Sequence, residues 1–327
     1  MKSIVGRFTL GLVAACCLAS TGAIAQESWP NRAVRLIVPF PAGGGVDTLS
    51  RSVAEMLGKK LGQQFVVENR PGAATMIAAE QAERSAADGY TAFVATTSTL
   101  VSNRYQFQKL RYDPDGFVPV SLLGFMPLVF LTNNETGVND IQGMLEYARK
   151  NPMTVSYASF GSGTNSHLAT EILSLQANAP MTHVPFKGAS EALPALIGNQ
   201  VQFYADTITS SYGFIKDGRL KALGTTIPQR TKTLPDVKTV AEQGFPGYDM
   251  SSWAGIVFPK NVPSIAVTKM DEALQEILRS KEFEAKLLSI GQELSESQIG
   301  AAAFKEQIRK DIPLVKSFFE QAKIEPK

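Results

Sequence analysis

The sequence predicts an α/β protein with two lobes, each a mostly parallel β-sheet flanked by helices, with a ligand cleft between the lobes. Short β-rich runs alternate with stretches in which apolar residues recur every three or four positions, as in a parallel sheet with helical crossovers. Two strand–glycine-turn–helix units lie about 120 residues apart. Because ligands bind at the carboxyl ends of strands in open parallel sheets, facing lobes would bring both turns to one cleft.

The first unit shows the alternation clearly. A β-rich run over 34–38 ends in the glycine turn 39–45, after which apolar residues recur at helical spacing. The sequence Asn-Arg-Pro-Gly at 69–72 is typical of a turn that stops the second strand. The predicted elements are strands 34–38, 64–68 and 91–96 and helices 46–61 and 73–84.

The pattern begins again after a long apolar run over 118–131. Here a strand leads into a second glycine turn, 159–165, and a helix follows it. Beyond a strand at 253–258 the chain is helical in character, and Ser295 to Gln298 is typical of a capping box that opens the last long helix. The other predicted elements are helices 140–150 and 167–176 and strands 154–158, 182–185, 201–205 and 220–225.

The first 25 residues have the three features of a bacterial signal peptide. Lys2 and Arg7 give a positive start, residues 8–19 are nearly all apolar or small, and Ala-Ile-Ala at 23–25 is a small-residue cleavage site. The apolar run is too short for a membrane span, which needs roughly 20 residues. We expect cleavage after 25 and a periplasmic protein, with a lipoprotein cleavage that leaves an acylated Cys16 as the alternative.

Removal of this leader decides which kinds of chemistry are open to the mature chain. The chain has 32 basic and 30 acidic residues, so losing Lys2 and Arg7 leaves 30 of each. A neutral chain without a Lys/Arg run gives no reason to expect nucleic acid or anionic lipid. Both cysteines, Cys16 and Cys17, also lie in the leader. We therefore expect no disulfide, no thiolate nucleophile, no metal and no cofactor.

The two glycine turns contain no cation: Lys and Arg are missing from 39–50 and from 154–175. Each turn instead offers backbone N–H groups at the start of a helix, where unpaired donors and the helix dipole suit an anion. The alternative is that each turn only connects a strand to a helix. Asp47 is expected either to cap its helix or to receive an ammonium or hydroxyl group of a ligand.

Motifs of enzymes and nucleotide-binding proteins fit the sequence less well than an anion-binding site does. The first turn lacks the last glycine of G-x-G-x-x-G, no phosphate-binding loop with Lys is present, and 161–163 is not a nucleophile elbow. A secreted serine hydrolase stays open as an alternative, because Ser162, His167 and Asp206 could gather in the fold. His167 is expected to contact a ligand or to cap its helix, whereas His183 reads as structural.

Several segments together resemble one family, the Bug-type substrate-binding proteins, which are the extracytoplasmic receptors of tripartite tricarboxylate transporters. The resemblance runs in order from residue 29 to about 260, and its specificity lies in the set of motifs. A departure occurs at 74–76, where the family often has a further glycine and this chain has Ala-Thr-Met. The matching segments are 29–30, 34–47, 67–73, 88–91, 119–123, 157–159, 161–163, 167–169, 183–188, 234–237 and 241–247.

This resemblance implies a two-lobed periplasmic-binding-protein fold of type II that closes over a carboxylate. It implies lobe 1 at 26–125 plus 250–327, lobe 2 at 126–249, a monomer, and delivery to a membrane permease, with a sensor kinase as the alternative partner. The ligand class stays open among di- and tricarboxylates, amino acids and aromatic acids. By position, the implied binding residues are Pro41, Ala42, Gly43 and Gly44 on one lobe and Gly161, Ser162, Gly163 and Thr164 on the other, with Asp47, Thr97, Ser98, His167, Lys187, Gly188, Ala189 and Asp206 as further candidates.

Overall fold

The computed structural model of the chain describes residues 29–152, 154–290, 298–321 and 324–326. The expected leader at 1–25 lies outside these ranges, as does Ser295 of the expected capping box. The last long helix begins at Ala301, so a box that ends at Gln298 does not open it. No helix within the described ranges is both long enough and apolar enough to cross a bilayer.

The strands form two separate five-stranded sheets. In chain order they are β1 (Val34–Val38), β2 (Phe65–Asn69), β3 (Thr91–Thr96), β4 (Phe117–Phe125), β5 (Leu128–Thr132), β6 (Ser156–Ser159), β7 (Thr182–Pro185), β8 (Phe203–Thr207), β9 (Lys221–Thr225) and β10 (Trp253–Pro259).

The two sheets have the same topology, and in each one strand runs against the other four. The first sheet has the order β2-β1-β3-β10-β4 and the second the order β7-β6-β8-β5-β9. β1 pairs in parallel with β2 and β3, and β6 pairs in parallel with β7 and β8. β10 and β5 are antiparallel to both of their neighbours. The sheets are therefore mixed, although most strands share one direction as predicted.

Helices cover both sheets. The predicted helix at 73–84 is wrong in its first turn, because Ala73, Ala74 and Thr75 have positive φ angles and form a left-handed 3₁₀ turn. The helices are α1 (Gly45–Leu61), α2 (Met76–Glu83), α3 (Asn103–Gln106), α4 (Ile141–Lys150), α5 (Asn165–Gln176), α6 (Ala189–Ile197), α7 (Ile208–Lys216), α8 (Ser264–Leu278), α9 (Lys281–Ser289) and α10 (Ala301–Gln321).

Side-chain alternation along the strands builds the core on both faces of each sheet. On β1, Leu36 faces a cluster with α1 and α8, whereas Ile37 faces a second cluster that includes Phe304 of α10. This second cluster continues into the other sheet, where it contains Phe130 and Leu168. Apolar packing thus joins the two lobes, which are also linked by the chain crossings between β4 and β5 and between β9 and β10. The lobe boundaries at 125/126 and 249/250 stay a prediction.

Candidate functional site

The first glycine turn joins β1 to α1 and is held by Asp47. This carboxylate is 2% exposed and accepts hydrogen bonds from the Gly43 N–H at 2.9 Å, Asn69 Nδ2 at 2.8 Å and Arg51 Nε at 2.9 Å. Burial raises the pKa of Asp47, but these hydrogen bonds and the charge of Arg51 outweigh it and hold the pKa below its usual value. Asp47 therefore fixes the shape of the turn. Its contact with a ligand stays a prediction.

The helices that begin at this cleft differ in how their N-termini are capped. Gly44 is the N-cap of α1 and Gly188 is the N-cap of α6, and neither end has a side-chain capping hydrogen bond. By contrast, α5 and α7 are capped by the side chains of Thr164 and Thr207. Uncapped N-termini present unpaired N–H donors and a partial positive charge to whatever lies in front of them.

The uncapped ends of α1 and α6 meet across the cleft. A Cβ atom on Gly188 would lie 2.8 Å from Pro41 Cδ, and one on Gly45 would lie 2.6 Å from Thr207 Oγ1, so only glycine permits this approach. Both helix ends line a cavity of about 30 Å³, which is the size of roughly one water molecule. The two lobes are therefore closed against each other here.

The second glycine turn uses more of its donors within its own lobe. Thr164 Oγ1 accepts from the His167 N–H at 3.5 Å and donates to the Gly161 carbonyl at 2.8 Å. The Gly161 N–H donates to Ser159 Oγ at 3.0 Å, and the Gly163 N–H donates to His167 Nδ1 at 3.3 Å. His167 is thus a positioning residue for this turn, and its expected contact with a ligand stays a prediction.

Gln106 of lobe 1 forms hydrogen bonds with the second turn. With its amide oriented to satisfy both partners, Gln106 accepts from the Gly163 N–H at 2.8 Å and donates to the Gly163 carbonyl at 3.2 Å. Nearby, the Asn165 N–H donates to Ser98 Oγ at 3.3 Å, and Ser102 Oγ donates to Asn165 Oδ1 at 3.3 Å. These residues close the cleft beside the crossing strands. Ser98 therefore bridges the lobes, whereas Thr97 Oγ1 accepts from the Trp253 N–H at 3.1 Å.

A larger cavity of about 510 Å³ lies between the two glycine turns. Its size is within the range of small-molecule pockets. Phe40 of the first turn packs edge to face on Phe160 of the second, with ring centroids 5.8 Å apart, and both rings also border the small cavity. The residues that line the larger cavity are Pro39, Phe40, Gly72, Ala73, Ala74, Thr75, Met76, Phe107, Phe160, Gly161, Ser162, Pro185, Phe186, Lys187 and Glu191.

One wall of this cavity is the strained left-handed turn that precedes α2. The φ angles of Ala73, Ala74 and Thr75 are 46°, 51° and 73°, which costs free energy for residues with a Cβ. Buried polar groups hold the turn: Asn103 Nδ2 donates to the Ala74 carbonyl at 2.8 Å, and Thr99 Oγ1 donates to Thr75 Oγ1 at 3.0 Å. The turn is thus a supported part of the pocket wall.

Two histidine rings lie against each other in a tilted arrangement next to the second turn. The ring centroids of His167 and His183 are 4.1 Å apart, and Ser159 Oγ lies 2.6 Å from His183 Nε2. Tyr157 stacks on both rings and donates to Glu171 Oε2 at 2.6 Å. The serine in this contact is the fully buried Ser159, not the half-buried Ser162 of the hydrolase hypothesis.

Asp206 lies at the end of β8 and is fully buried. Its Oδ1 accepts from the Thr207 N–H at 2.7 Å and from Ser210 Oγ at 2.8 Å, whereas Oδ2 has no hydrogen-bond partner among the described residues. Burial raises the pKa of Asp206 to about 7, although the Ser210 and Thr207 hydrogen bonds and the nearby Tyr204 hydroxyl lower it in part. It lies behind the cleft surface, and its role in binding stays a prediction.

The structure thus distributes the sequence-predicted residues over four places. Pro41, Gly44, Gly188 and Ala189 line the small cavity, and Gly161, Ser162 and Lys187 line the large one. Ala42 and Gly43 lie exposed on the first turn. The others are buried, namely Asp47, Thr97, Ser98, Gly163, Thr164, His167 and Asp206.

Sequence reasoning missed five residues that shape the cleft, namely Phe40, Gln106, Phe107, Phe160 and Phe186. Phe40 and Phe160 lie inside the glycine turns. The sequence argument there concerned backbone N–H donors and did not consider aromatic side chains. Gln106 and Phe107 follow a π-helical turn over Ser98–Ser102 that no pattern predicted. A groove of about 730 Å³ that contains neither turn lies elsewhere, between 227–232 and the ends of α8 and α9.

A family comparison agrees with this architecture. The family model described as "Tripartite tricarboxylate transporter family receptor", TctC, matches residues 49–318. The chain belongs to this family. A TctC receptor was the interpretation that the sequence motifs favoured, and it is confirmed.

Relatives and solved structures of this TctC receptor support the same assignment. Protein BugT of Bordetella pertussis is 31% identical over 79% of this chain and 80% of its own length. The Rhodopseudomonas palustris protein Rpa4515, solved with adipate, has a TM-score of 0.87 and 30% identity over 91% of this chain and all of its own. MatC from the same organism, solved with malate, has a TM-score of 0.84 and 29% identity over 89% of this chain and 99% of its own. The two-lobed periplasmic-binding-protein fold is therefore confirmed.

Proposed function

We propose that this protein is a periplasmic, non-enzymatic receptor that captures a small carboxylate by backbone amides of its glycine turns and delivers it to a tripartite tricarboxylate-type permease. The observation that carries the proposal is the meeting of two uncapped helix N-termini, those of α1 and α6, from opposite lobes. Unpaired N–H donors on both sides of one space form a site for an anion.

The position of these donors links binding to closure. A carboxylate on the first turn meets the α6 donors only when the lobes approach, so the anion stabilises the closed state more than the open one. The second turn supports the larger cavity with Gly161 and Ser162, and Gln106 holds that turn against lobe 1. A closed receptor is the form that a permease can distinguish from an empty one.

Similar proteins support the carboxylate class. Rpa4515 was solved with adipate and MatC with malate, and both have the fold of this chain. The hydrolase alternative is weaker, because the serine in contact with a histidine is the fully buried Ser159. A sensor that presents its closed form to a membrane kinase would use the same site, and this alternative concerns only the partner.

The direct test is native mass spectrometry of the protein purified from the periplasm, followed by thermal-shift screening of a carboxylic-acid panel that includes adipate and malate. Ligands that bind only the folded state raise the melting temperature, and at equal concentration a tighter ligand raises it more. We expect one or a few carboxylates to stabilise the protein and their uncharged amides to have no effect. Stabilisation by a neutral sugar, with every acid inactive, would exclude the proposal.

A further inference from the structure

We infer, on the basis of the proposed function, that the ligand is a monocarboxylate with an aromatic body, not a polar di- or tricarboxylate. The large cavity is lined by four phenylalanines, Phe40, Phe107, Phe160 and Phe186, which come from both sides of the cleft. All four rings are half-buried in the closed structure. Apolar ring surface that remains in contact with solvent is what a ligand with an apolar body would cover.

The rings are arranged for aromatic contacts. Phe40 and Phe160 stand edge to face with centroids 5.8 Å apart, and Phe160 also packs edge to face on Tyr204 at 5.7 Å. These contacts fix the plane of Phe160 at the junction of the small and large cavities. Edge and face contacts with a ring are favoured beyond the apolar area that they bury. A planar ligand ring in the large cavity therefore gains more than an aliphatic chain of similar length.

The two charged residues of the described lining lie side by side, at the end of the large cavity where α6 begins. Lys187 is the cation of the described lining, and it immediately precedes Gly188, where the uncapped end of α6 begins. Glu191 is the anion of the lining, and its Oε2 accepts from the Lys187 N–H at 3.3 Å. A carboxylate at the Lys187 end is attracted by this lysine and by the helix dipoles. A second carboxylate at the far end of the ligand would lie against the phenylalanines, away from Lys187 and the helix N-termini, and burying a charge there without a partner is costly.

The geometry therefore gives an orientation for the ligand. The acid group lies at the junction of the two cavities, in front of the N-termini of α1 and α6 and beside Lys187. The ring occupies the large cavity between Phe107 of lobe 1 and Phe186 of lobe 2. Malate, with a hydroxyl and two carboxylates, would leave polar groups against these rings without partners, and this is costly.

Isothermal titration with a matched series of acids tests the inference on the full-length mature protein. Benzoate and cyclohexanecarboxylate differ in aromaticity, benzamide lacks the charge, and adipate and malate each add a second acid group. We expect benzoate to bind about ten-fold more tightly than cyclohexanecarboxylate and malate, and benzamide to bind least.

Two variants separate the roles of ring and charge. Phe107→Leu keeps an apolar side chain in the wall, so we expect benzoate affinity to fall about ten-fold and adipate affinity to change little. Lys187→Gln is expected to weaken all the acids about ten-fold or more and to leave benzamide unchanged. Phe245→Leu and Lys216→Gln are the matched controls, because both residues lie outside the large cavity.

The outcomes distinguish this inference from the proposed function. If malate or another polar polyacid binds more tightly than every aromatic monoacid, the aromatic class is wrong while the carboxylate receptor stands. Equal loss of benzoate and adipate affinity in Phe107→Leu would also overturn the aromatic class. If no acid in the series binds, both the inference and the proposed function fail.

Discussion

Two buried aspartates near the cleft have opposite pKa shifts. Asp47 accepts hydrogen bonds from Gly43, Asn69 and the cation Arg51, and its pKa is lowered because these contacts outweigh burial. Asp206 has only neutral donors, and burial raises its pKa to about 7. The same residue type is therefore an anion in the first turn but, behind the cleft, holds a proton at pH values below about 7.

The raised pKa of Asp206 predicts a stability that depends on pH. Its folded pKa lies above the ordinary value of 3.8, so between pH 4 and 7 the folded state binds more protons than the unfolded state. The free energy of unfolding should therefore fall as the pH rises through this window and level off above pH 7. Asp206→Asn should remove this contribution, so that variant and wild type diverge by about 1–4 kcal/mol between the two pH values.

Urea denaturation at closely spaced pH values measures this difference. The difference between wild type and variant isolates Asp206 from the other groups of the protein. Asp236→Asn, which changes an exposed aspartate, is the control and should follow the wild-type profile. Parallel profiles for wild type and Asp206→Asn would contradict the assignment of the slope to this carboxyl group.

At the scale of elements, the sequence predicted what depends on local periodicity. Strands β1, β3 and β7 lie where short β-rich runs beside turns predicted them, and α1 begins one residue earlier than predicted. The prediction of a helix at 73–75 was wrong. Ala-Ala-Thr favours a helix locally, but Asn103 and Thr99 from another segment hold these residues in a left-handed turn. Helices α6 and α7, each nine residues long, were not predicted.

The approach of α6 to the first turn predicts a steric effect on closure. Gly188 has an extended backbone, so alanine fits its conformation, but the new Cβ would lie 2.8 Å from Pro41 Cδ. Gly188→Ala should therefore keep the folded lobes intact while hindering their closure, and ligand affinity should fall about ten-fold. Titration calorimetry measures the affinity, and circular dichroism confirms that the fold is retained.

A double-mutant cycle identifies the clash as the cause. Pro41→Ala removes the Cγ and Cδ atoms, so the double variant should recover part of the affinity that Gly188→Ala loses, with a coupling of about 1 kcal/mol or more. Gly213→Ala is the matched control, because a Cβ there meets open space within α7. Strictly additive effects of the two substitutions would show that affinity is lost for another reason.

At the scale of the whole molecule, the cleft depends on contacts between residues that are far apart in sequence. Helix N-termini and glycine turns are visible in the sequence, so the general place of the site could be predicted. The segments that face each turn across the cleft could not be predicted, because they depend on how the second sheet packs against the first. The first turn meets 188–190 and Thr207, whereas the second turn is held by Gln106.

The Gln106 contact predicts how the balance between open and closed forms can be shifted. Gln106 is 1% exposed and satisfies both backbone groups of Gly163 from the opposite lobe. In Gln106→Leu the Gly163 carbonyl would be buried without this partner in the closed form but hydrated in the open one, a difference of about 1–3 kcal/mol. Because a ligand binds a less populated closed state with reduced apparent affinity, we expect about ten-fold weaker binding.

Small-angle scattering should show a larger unliganded molecule that compacts at saturating ligand, whereas Gln108→Leu, at an exposed site two residues away, should match wild type. Unchanged dimensions and affinity in Gln106→Leu would mean that apolar packing, not this amide, holds the lobes together.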